Sequence, residues 1–174
     1  MKRRLVILVL MLVVLSGFGC EVNNSSSSVV KSPLVNNRLD YKLYVTWPVA
    51  EYVTRRTFKQ FGEYVQDRFT GFHVGEDVEY ADVLSDVPVM SIADGVVTYV
   101  GKASGYGGLV VINYIIDDRS ISAIYGHLKL SELRVKLNQL VKMGEVIGVL
   151  GQGDSVETDG ERKHLHFALY KGEV

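Results

Sequence analysis

Residues 163–170 have the sequence KHLHFALY, in which histidines alternate with large apolar residues. Alternation with a period of two is typical of a β-strand, whose successive side chains point to opposite faces. His164 and His166 therefore share one face of the predicted strand, and Leu165 and Phe167 share the other. Paired imidazoles fill a hydrophobic core poorly but suit the wall of a metal-binding cleft, so this strand is predicted to separate a core from a metal site.

The composition indicates one globular domain with an appendage. The chain has 174 residues, of which 47% are hydrophobic and 22% charged, which is ordinary for a globular fold. A domain of this size buries a sufficient core without disulfides. The formal net charge is -1, and the absence of a basic surplus argues against a nucleic-acid-binding protein. No sequence feature indicates an oligomer.

Residues 1–19 are predicted to be a lipoprotein-type signal peptide. Three basic residues at positions 2–4 precede eleven consecutive apolar residues at 5–15, and small residues follow. This order is typical of an export signal. Eleven apolar residues are too few to span a bilayer, which needs about 20. The segment is therefore expected to direct export to the cell envelope.

Cys20 is the sole cysteine of the chain and stands where a bacterial lipoprotein is cleaved and lipidated. A lipid on this thiol would anchor the protein to a membrane. Gly17 and Gly19 also suit ordinary signal-peptidase cleavage, which would leave a free thiol. Residues 20–38 are rich in Ser and Asn and are predicted to be a flexible tether, because such a polar tract buries too little surface to offset its ordering entropy.

Residues 39–174 are predicted to form the folded domain, which is mainly β. Short runs rich in Val, Ile and Tyr are separated by Gly, Asp and Ser, as in β-proteins. These runs lie at 43–47, 89–92, 96–100, 109–116, 121–125, 146–150 and 164–170. Short helical turns are expected at 54–61 and 131–136. The segments 95–101 and 144–151 resemble each other, and the prediction is a compact antiparallel β-sandwich or barrel-like hybrid with pseudo-repeated hairpins and a metal cleft.

The other two histidines occur in short motifs that are compatible with the same cleft. His73 and Asp77 are four residues apart, and Gly75 between them predicts a loop that leads into a strand. Zinc accepts imidazole nitrogen and carboxylate oxygen at ~2.0–2.2 Å. Taken alone, His73 and Asp77 would more often be an exposed ion pair, and His127 in the segment YGHL at 125–128 a hydrogen-bonded residue at a strand end. Together the three motifs use all four histidines of the chain.

The order of these motifs closely resembles the lysostaphin/LytM-type zinc metallopeptidases, which cut the peptides of peptidoglycan. The similarity covers roughly residues 45–171 and includes the segments WPV at 47–49, GFHVG at 71–75 and ADGVV at 93–97. The resemblance implies a zinc-dependent endopeptidase that acts at the cell envelope on stem peptides or crosslinks. It also implies the site residues: His73, Asp77 and His166 as Zn²⁺ ligands, and His127 and His164 as catalytic histidines.

The chain departs from the family pattern in the tract before His164. Residues 151–163 are longer and more charged than the usual loop of small residues, and Ala168 stands where Glu is common. The loop is expected to border the substrate groove. The departure therefore leaves the identity of the cleaved bond open.

Three alternative functions are compatible with parts of the sequence. A non-catalytic relative of the same fold would bind the wall and activate amidases, and this alternative is tested by the completeness of the metal site. A carbohydrate- or peptide-binding sandwich with a structural zinc would normally use four protein ligands, often Cys, and residues 39–174 contain no Cys. A biotinyl or lipoyl carrier would need a lysine at a hairpin tip between the two similar segments, and no clear candidate is present.

Overall fold

A computed structural model describes residues 45–174 of the chain. These residues form eleven β-strands and one 3-10 helix, and no α-helix occurs among them. The predicted signal peptide at 1–19, Cys20, the predicted tether at 20–38 and the predicted start of the domain at 39 lie outside the described residues. None of the helices in the described part is long and apolar enough to cross a membrane.

The strands account for the mainly β character predicted from the sequence. In chain order they are β1 (Thr57–Lys59), β2 (Tyr64–Val65), β3 (Gly71–Phe72), β4 (Glu76–Glu79), β5 (Pro88–Met90), β6 (Gly95–Ala103), β7 (Gly107–Ile116), β8 (Arg119–Leu128), β9 (Leu140–Val141), β10 (Val146–Val149) and β11 (His164–Lys171). The 3-10 helix, Leu130–Glu132, lies between β8 and β9.

Seven strands form the main sheet, in the order β1-β4-β11-β8-β7-β6-β9, and each neighbouring pair is antiparallel. Two small sheets, β5 with β10 and β2 with β3, accompany it. β7 and β8 join through Asp117 and Asp118, which have φ angles of 55° and 58°. Two positive φ values are typical of a type I′ turn, whose twist matches that of the strands it connects.

The main core lies on one face of the long strands. It includes Ile112 and Tyr114 of β7, Tyr125 of β8 and Leu165 of β11, all fully buried. The two tyrosine hydroxyls lie 2.6 Å apart, and Ser91 Oγ lies 2.9 Å from that of Tyr114. Because buried hydroxyl groups need partners, this polar chain satisfies them inside an otherwise apolar layer.

Several local predictions can be compared with these elements. The strand predicted at 164–170 is confirmed as β11. The segments 95–101 and 144–151 each contribute a strand, but they belong to different sheets and do not pair with each other. The prediction of a helical turn at 54–61 was wrong for Thr57–Lys59. These residues form β1, because their backbone groups pair with β4 instead. Of the helical turn predicted at 131–136, only a 3-10 helix at Leu130–Glu132 is present. Of the strand predicted at 43–47, the described residues 45–47 form no strand.

Core packing behind β11 leads to a first prediction. Leu165 is 0% exposed and Leu169, on the same strand, is 54% exposed. Leu165→Ala should lower the free energy of unfolding by about 2–5 kcal/mol, because it removes buried methyl groups and leaves a cavity. Leu169→Ala should change it by less than about 0.5 kcal/mol. Urea unfolding of both variants measures the difference, and equal losses would contradict the packing described here.

Candidate metal centre

The main sheet brings the predicted site residues together across β4, β11 and β8. Asp77 of β4 lies directly opposite His166 of β11, and Gly126 of β8 faces His166 on the other side. His73 lies just before β4, four residues from Asp77. These side chains share the face of the sheet that is opposite the main core, because paired residues of neighbouring strands project to the same side.

Three ligand atoms converge to form a triangle. His73 Nε2 lies 3.3 Å from Asp77 Oδ1 and 3.2 Å from His166 Nδ1, and His166 Nδ1 lies 2.8 Å from Asp77 Oδ1. All three residues are buried. We refer to these three atoms as the donor triangle.

The donor triangle fits a zinc ion in chemistry and in size. Two imidazole nitrogens and one carboxylate oxygen are a common zinc ligand set, and tetrahedral ligands about 2.0–2.1 Å from an ion lie about 3.3 Å from one another. A buried imidazole lone pair facing a carboxylate is unfavourable unless a proton or a cation lies between them. The residues His73, Asp77 and His166 can therefore hold a metal ion.

Backbone carbonyls orient two of the imidazoles. His73 Nδ1 donates to the carbonyl of Gln60 at 3.2 Å, and His164 Nδ1 donates to the carbonyl of Arg162 at 2.7 Å. A carbonyl only accepts, so in each ring Nδ1 carries the proton and Nε2 presents a lone pair. The lone pair of His73 is thereby directed at the donor triangle, which is how metal-binding histidines are usually held.

A β-bulge brings His127 into the same cavity. Gly126 and Leu128 pair with consecutive residues of β7, so His127 is an extra residue in β8, with a φ of 64°. Tyr125 and Leu128 both belong to the main core, and strict alternation would have placed His127 on the core side with Tyr125. The bulge instead places its ring against that of His164, with 4.2 Å between ring centroids.

Three buried imidazole nitrogens of this cluster have no hydrogen-bond partner among the described residues: His127 Nδ1, His164 Nε2 and His166 Nε2. His164 Nε2 lies 3.5 Å from Asp77 Oδ1, at the edge of the donor triangle. Buried polar atoms are nearly always hydrogen-bonded in folded proteins. His164 Nε2, which lies at the edge of the donor triangle, is therefore placed to meet a ligand or an ion.

The cluster also perturbs the ionisation of its members. Burial would raise the pKa of Asp77, but the adjacent imidazoles of His164, His166 and His73 hold it well below its usual range. Burial lowers the pKa of His73, yet the nearby Asp77 carboxylate makes the net shift upward. Burial, reinforced by His164 and His166, lowers the pKa of His127 to about 2. The carboxylate is therefore ionised and His127 is neutral at physiological pH.

A cavity of about 430 Å³ lies over the cluster. One wall carries apolar groups from the segment before β4, and the other carries polar groups from the β6–β7 turn and from the loop before β11. Besides the histidines and Asp77, the residues that line it are Lys59, Arg68, Phe69, Phe72, Val74, Ser104, Gly105, Tyr106, Asp159 and Glu161. The residues of the donor triangle and the other two histidines therefore belong to the lining of one cavity.

The loop at 151–163, which the sequence predicted to border the groove, forms part of the cavity wall. Thr158 is fully buried, and its hydroxyl lies 2.7 Å from the carbonyl of Glu161. Glu157 accepts hydrogen bonds from the backbone N–H groups of Leu130 and Gln152. These internal bonds give the loop a defined shape, so that Asp159 and Glu161 face the cavity.

Charged pairs join the two walls of the cavity. Arg68 donates to the backbone carbonyl of Asp159 and lies 3.5 Å from the Glu161 carboxylate. Lys59 lies 3.6 Å from Glu161 and 3.2 Å from Asp67. The charged groups that line the cavity therefore partly compensate one another.

Sequence reasoning singled out five residues, and the structure brings all five into one cavity: His73, Asp77, His127, His164 and His166. Apart from the loop at 151–163, it missed the residues of the cavity walls, including Lys59, Arg68 and Tyr106. Lys59 faces the cavity because it pairs in register with Asp77, but β1 was not predicted. Tyr106 packs edge-on to His166 with ring centroids 5.2 Å apart, a contact that no local sequence signal encodes.

Comparison with known families and curated proteins gives two findings. Residues 71–174 match the model of peptidase family M23. The chain is also 33% identical over 100 residues to Endolysin 2638A of Staphylococcus phage 2638A. That alignment covers 57% of this chain and 19% of the endolysin, so the chain spans about a fifth of this relative.

Solved structures with a similar fold support the same relationship. A zinc-containing peptidase from Vibrio cholerae is 26% identical with a TM-score of 0.56, over 75% of this chain and 37% of that one. LytU is 27% identical with a TM-score of 0.53, over 69% of this chain and 76% of that one. Csd3 of Helicobacter pylori is 26% identical with a TM-score of 0.53, over 74% of this chain and 32% of that one.

Close packing around His166 leads to a second prediction. A Cβ at Gly75 would lie 2.7 Å from His166 Nε2 and 2.8 Å from the carbonyl oxygen of Phe167. Gly75→Ala should therefore displace the His166 ring and weaken zinc binding by about 10–100-fold. Gly148→Ala is the matched control, because its Cβ would lie no closer than 3.4 Å to any neighbour. Competition with a chromophoric chelator measures both affinities, and equal zinc binding in the two variants would contradict this packing.

Proposed function

The chain belongs to peptidase family M23, and we propose that it is a zinc-dependent endopeptidase that hydrolyses peptide bonds in peptidoglycan stem peptides or crosslinks. The observation that carries this proposal is the donor triangle, which lies on the floor of an open cavity beside two further imidazoles. Three protein ligands are typical of catalytic zinc sites, whereas structural sites normally have four.

The proposed zinc ligands are His73 Nε2, Asp77 Oδ1 and His166 Nδ1. When bound, zinc would supply Lewis-acid chemistry, which polarises a carbonyl group and lowers the pKa of water from 15.7 to about 7. The carbonyl of Gln60 holds the His73 ring in the tautomer that this ligand set requires. Asp77, which stays ionised, supplies the negative charge of the site.

We assign proton transfer to His164 and His127. The Nε2 lone pair of His164 is fixed by its Nδ1 hydrogen bond to Arg162 and lies at the edge of the donor triangle. The His127 ring packs against it. In hydrolysis, the hydroxyl of water adds to the peptide carbon, the C–N bond breaks, and a proton moves to the leaving amine. Two adjacent imidazoles suffice to accept the water proton and return one to the amine.

The substrate class is supported by the cavity and by the relatives. The cavity has one apolar wall and one polar wall with partly compensated charges, which suits a peptide whose side chains differ in character. One relative is described as an endolysin and one structural neighbour as a zinc-containing peptidase. A non-catalytic, amidase-activating protein remains the alternative, but such a protein would not need two free imidazoles beside three convergent ligands.

We also propose that the protein acts at the cell envelope and is anchored there by a lipid on Cys20. The support is the order of basic, apolar and small residues in the segment 1–20. An anchor followed by a polar tether would give the catalytic domain reach over the nearby wall.

Substitution of the cluster residues tests the proposed function. Asp77→Ala and His73→Ala should abolish zinc binding and activity together, because each removes a ligand. His127→Ala should keep most of the zinc and lower the rate by about 10²–10⁴-fold, since proton transfer is lost. Zinc content by mass spectrometry and release of free amines from purified cell wall measure the two effects separately.

The same assay includes its controls. Chelation should stop amine release from the wild-type protein, and added zinc should restore it. A wild-type protein that binds zinc but releases no amine from any wall preparation would contradict the proposal. A His127→Ala protein with the wild-type rate would contradict only the role given to that histidine.

The proposed anchor makes a separate prediction. Cys20→Ala should move the protein from the membrane fraction to the soluble envelope fraction, because the thiol that would carry the lipid is gone. Fractionation followed by mass spectrometry of the mature N-terminus measures this change. A wild-type N-terminus that carries no lipid would contradict the anchor without affecting the metal centre.

A further inference from the structure

The segment 61–74, which we call the aromatic arm, has an apolar surface beside the cavity. Every residue from 61 to 70 is exposed except Val65. Five large apolar side chains of the arm are between 40% and 72% exposed: Phe61, Tyr64, Phe69, Phe72 and Val74. Contiguous exposed apolar groups of this kind usually mark an interaction site.

The β2–β3 pair turns its aromatic residues outward. Tyr64 pairs in register with Phe72, and Val65 pairs with Gly71. Val65 is 6% exposed, whereas Tyr64 and Phe72 are 55% and 66% exposed. Their rings meet edge to face with centroids 5.2 Å apart. The hairpin thus buries its smaller apolar side chain and presents its two large rings to the outside.

The apolar surface of the arm continues into the proposed catalytic cavity. Phe69, Phe72 and Val74 line that cavity on the wall next to His73. Phe61 and Tyr64 do not line it, but the Tyr64 ring contacts Phe72, and Gly62, which follows Phe61, donates its backbone N–H to the carbonyl of His73. A ligand that occupies both regions would therefore have one part above the donor triangle and another part on the exposed rings.

We propose that the aromatic arm binds the glycan strand of peptidoglycan, while the attached peptide occupies the cavity. The identity of this ligand rests on the proposed function. Sugar rings present flat faces of C–H groups, and aromatic side chains offer broad rigid faces that suit such contacts at low entropic cost. Because glycan and peptide are covalently joined, contact with the arm raises the effective concentration of the peptide at the cavity.

Charge distribution favours a glycan over a peptide on the exposed rings. A stem peptide carries ionised groups, and counter-charges for them lie in the cavity at Lys59, Arg68 and Glu161. Phe61 and Tyr64 carry no charge, and the charged residues of the arm already have partners: Glu63 accepts from the backbone N–H of Gln60, Asp67 lies 3.2 Å from Lys59, and Arg68 lies 3.5 Å from Glu161. A neutral ring system therefore matches this part of the surface better.

The same surface is poorly suited to a membrane. Glu63, Asp67 and Arg68 are exposed within the arm, and moving such charges into hydrocarbon is unfavourable. Insertion of Phe69 and Phe72 would also press the mouth of the cavity against lipid. A glycan strand can contact these rings without moving the charged residues into hydrocarbon and without covering the mouth of the cavity with lipid.

Direct binding of glycan tests this inference. The probe is a neutral oligomer of N-acetylglucosamine, titrated calorimetrically into the full mature chain in the presence of chelator. The wild-type protein should bind, and combined Phe61→Ala and Tyr64→Ala should weaken binding by about tenfold. Leu84→Ala and Leu140→Ala, at side chains 98% and 76% exposed, should leave the affinity unchanged.

A single-site variant and a lipid control complete the test. Phe61→Ala alone leaves the contact between Tyr64 and Phe72 intact, so a weaker affinity in this folded variant supports the arm as the binding surface. Equal affinities in wild-type and arm variants, or no glycan binding at all, would overturn the inference. Binding instead to vesicles of phosphatidylethanolamine and phosphatidylglycerol, lost in the arm variants, would also overturn it. Because the assay needs no turnover, glycan binding without amine release would refute only the proposed hydrolysis.

Discussion

The register between β4 and β11 places Asp77 opposite His166, and the geometry of the cavity follows from it. A slip of one residue would turn His166 toward the core and Leu165 toward the cavity, since side chains alternate along a strand. Leu165 is fully buried in the main core, so such a slip would expose it. The hydrophobic effect on one face of β11 therefore holds the polar ligands of the other face in place.

The cavity also depends on a β-bulge in β8. The bulge at His127 brings a fourth imidazole to the cavity, although the left-handed conformation of a non-glycine residue costs about 1–3 kcal/mol. Backbone hydrogen bonds hold it: His127 N–H donates to Tyr106, and Gly151 N–H donates to the His127 carbonyl. Bulges often redirect a side chain next to functional sites. Here the bulge turns His127 toward the cavity, while Tyr125 before it and Leu128 after it both remain in the main core.

The sequence was sufficient for the strand class, for β11 and for the convergence of the five site residues, because these depend on period-two alternation and on recognisable motifs. The motif, and not alternation, placed His127 in this group, because strict alternation would have turned its side chain toward the core. Sequence reasoning missed β1, and with it Lys59, since a three-residue edge strand depends on pairing with β4 and leaves no periodic signal. The charged contacts across the cavity join Arg68 to a loop some ninety residues away, and no local pattern predicts contacts at that separation.

The chain order of the strands has a consequence for how the donor triangle assembles. β11 follows all the other strands in sequence, yet it lies between β4 and β8 in the main sheet. His73 and Asp77 therefore cannot meet His166 until the final long strand has entered the middle of the sheet, which is a non-local and comparatively slow event. A chain still emerging from a ribosome would therefore hold only separate parts of the candidate centre, which is completed only once residues 164–171 have been synthesised and have joined the sheet.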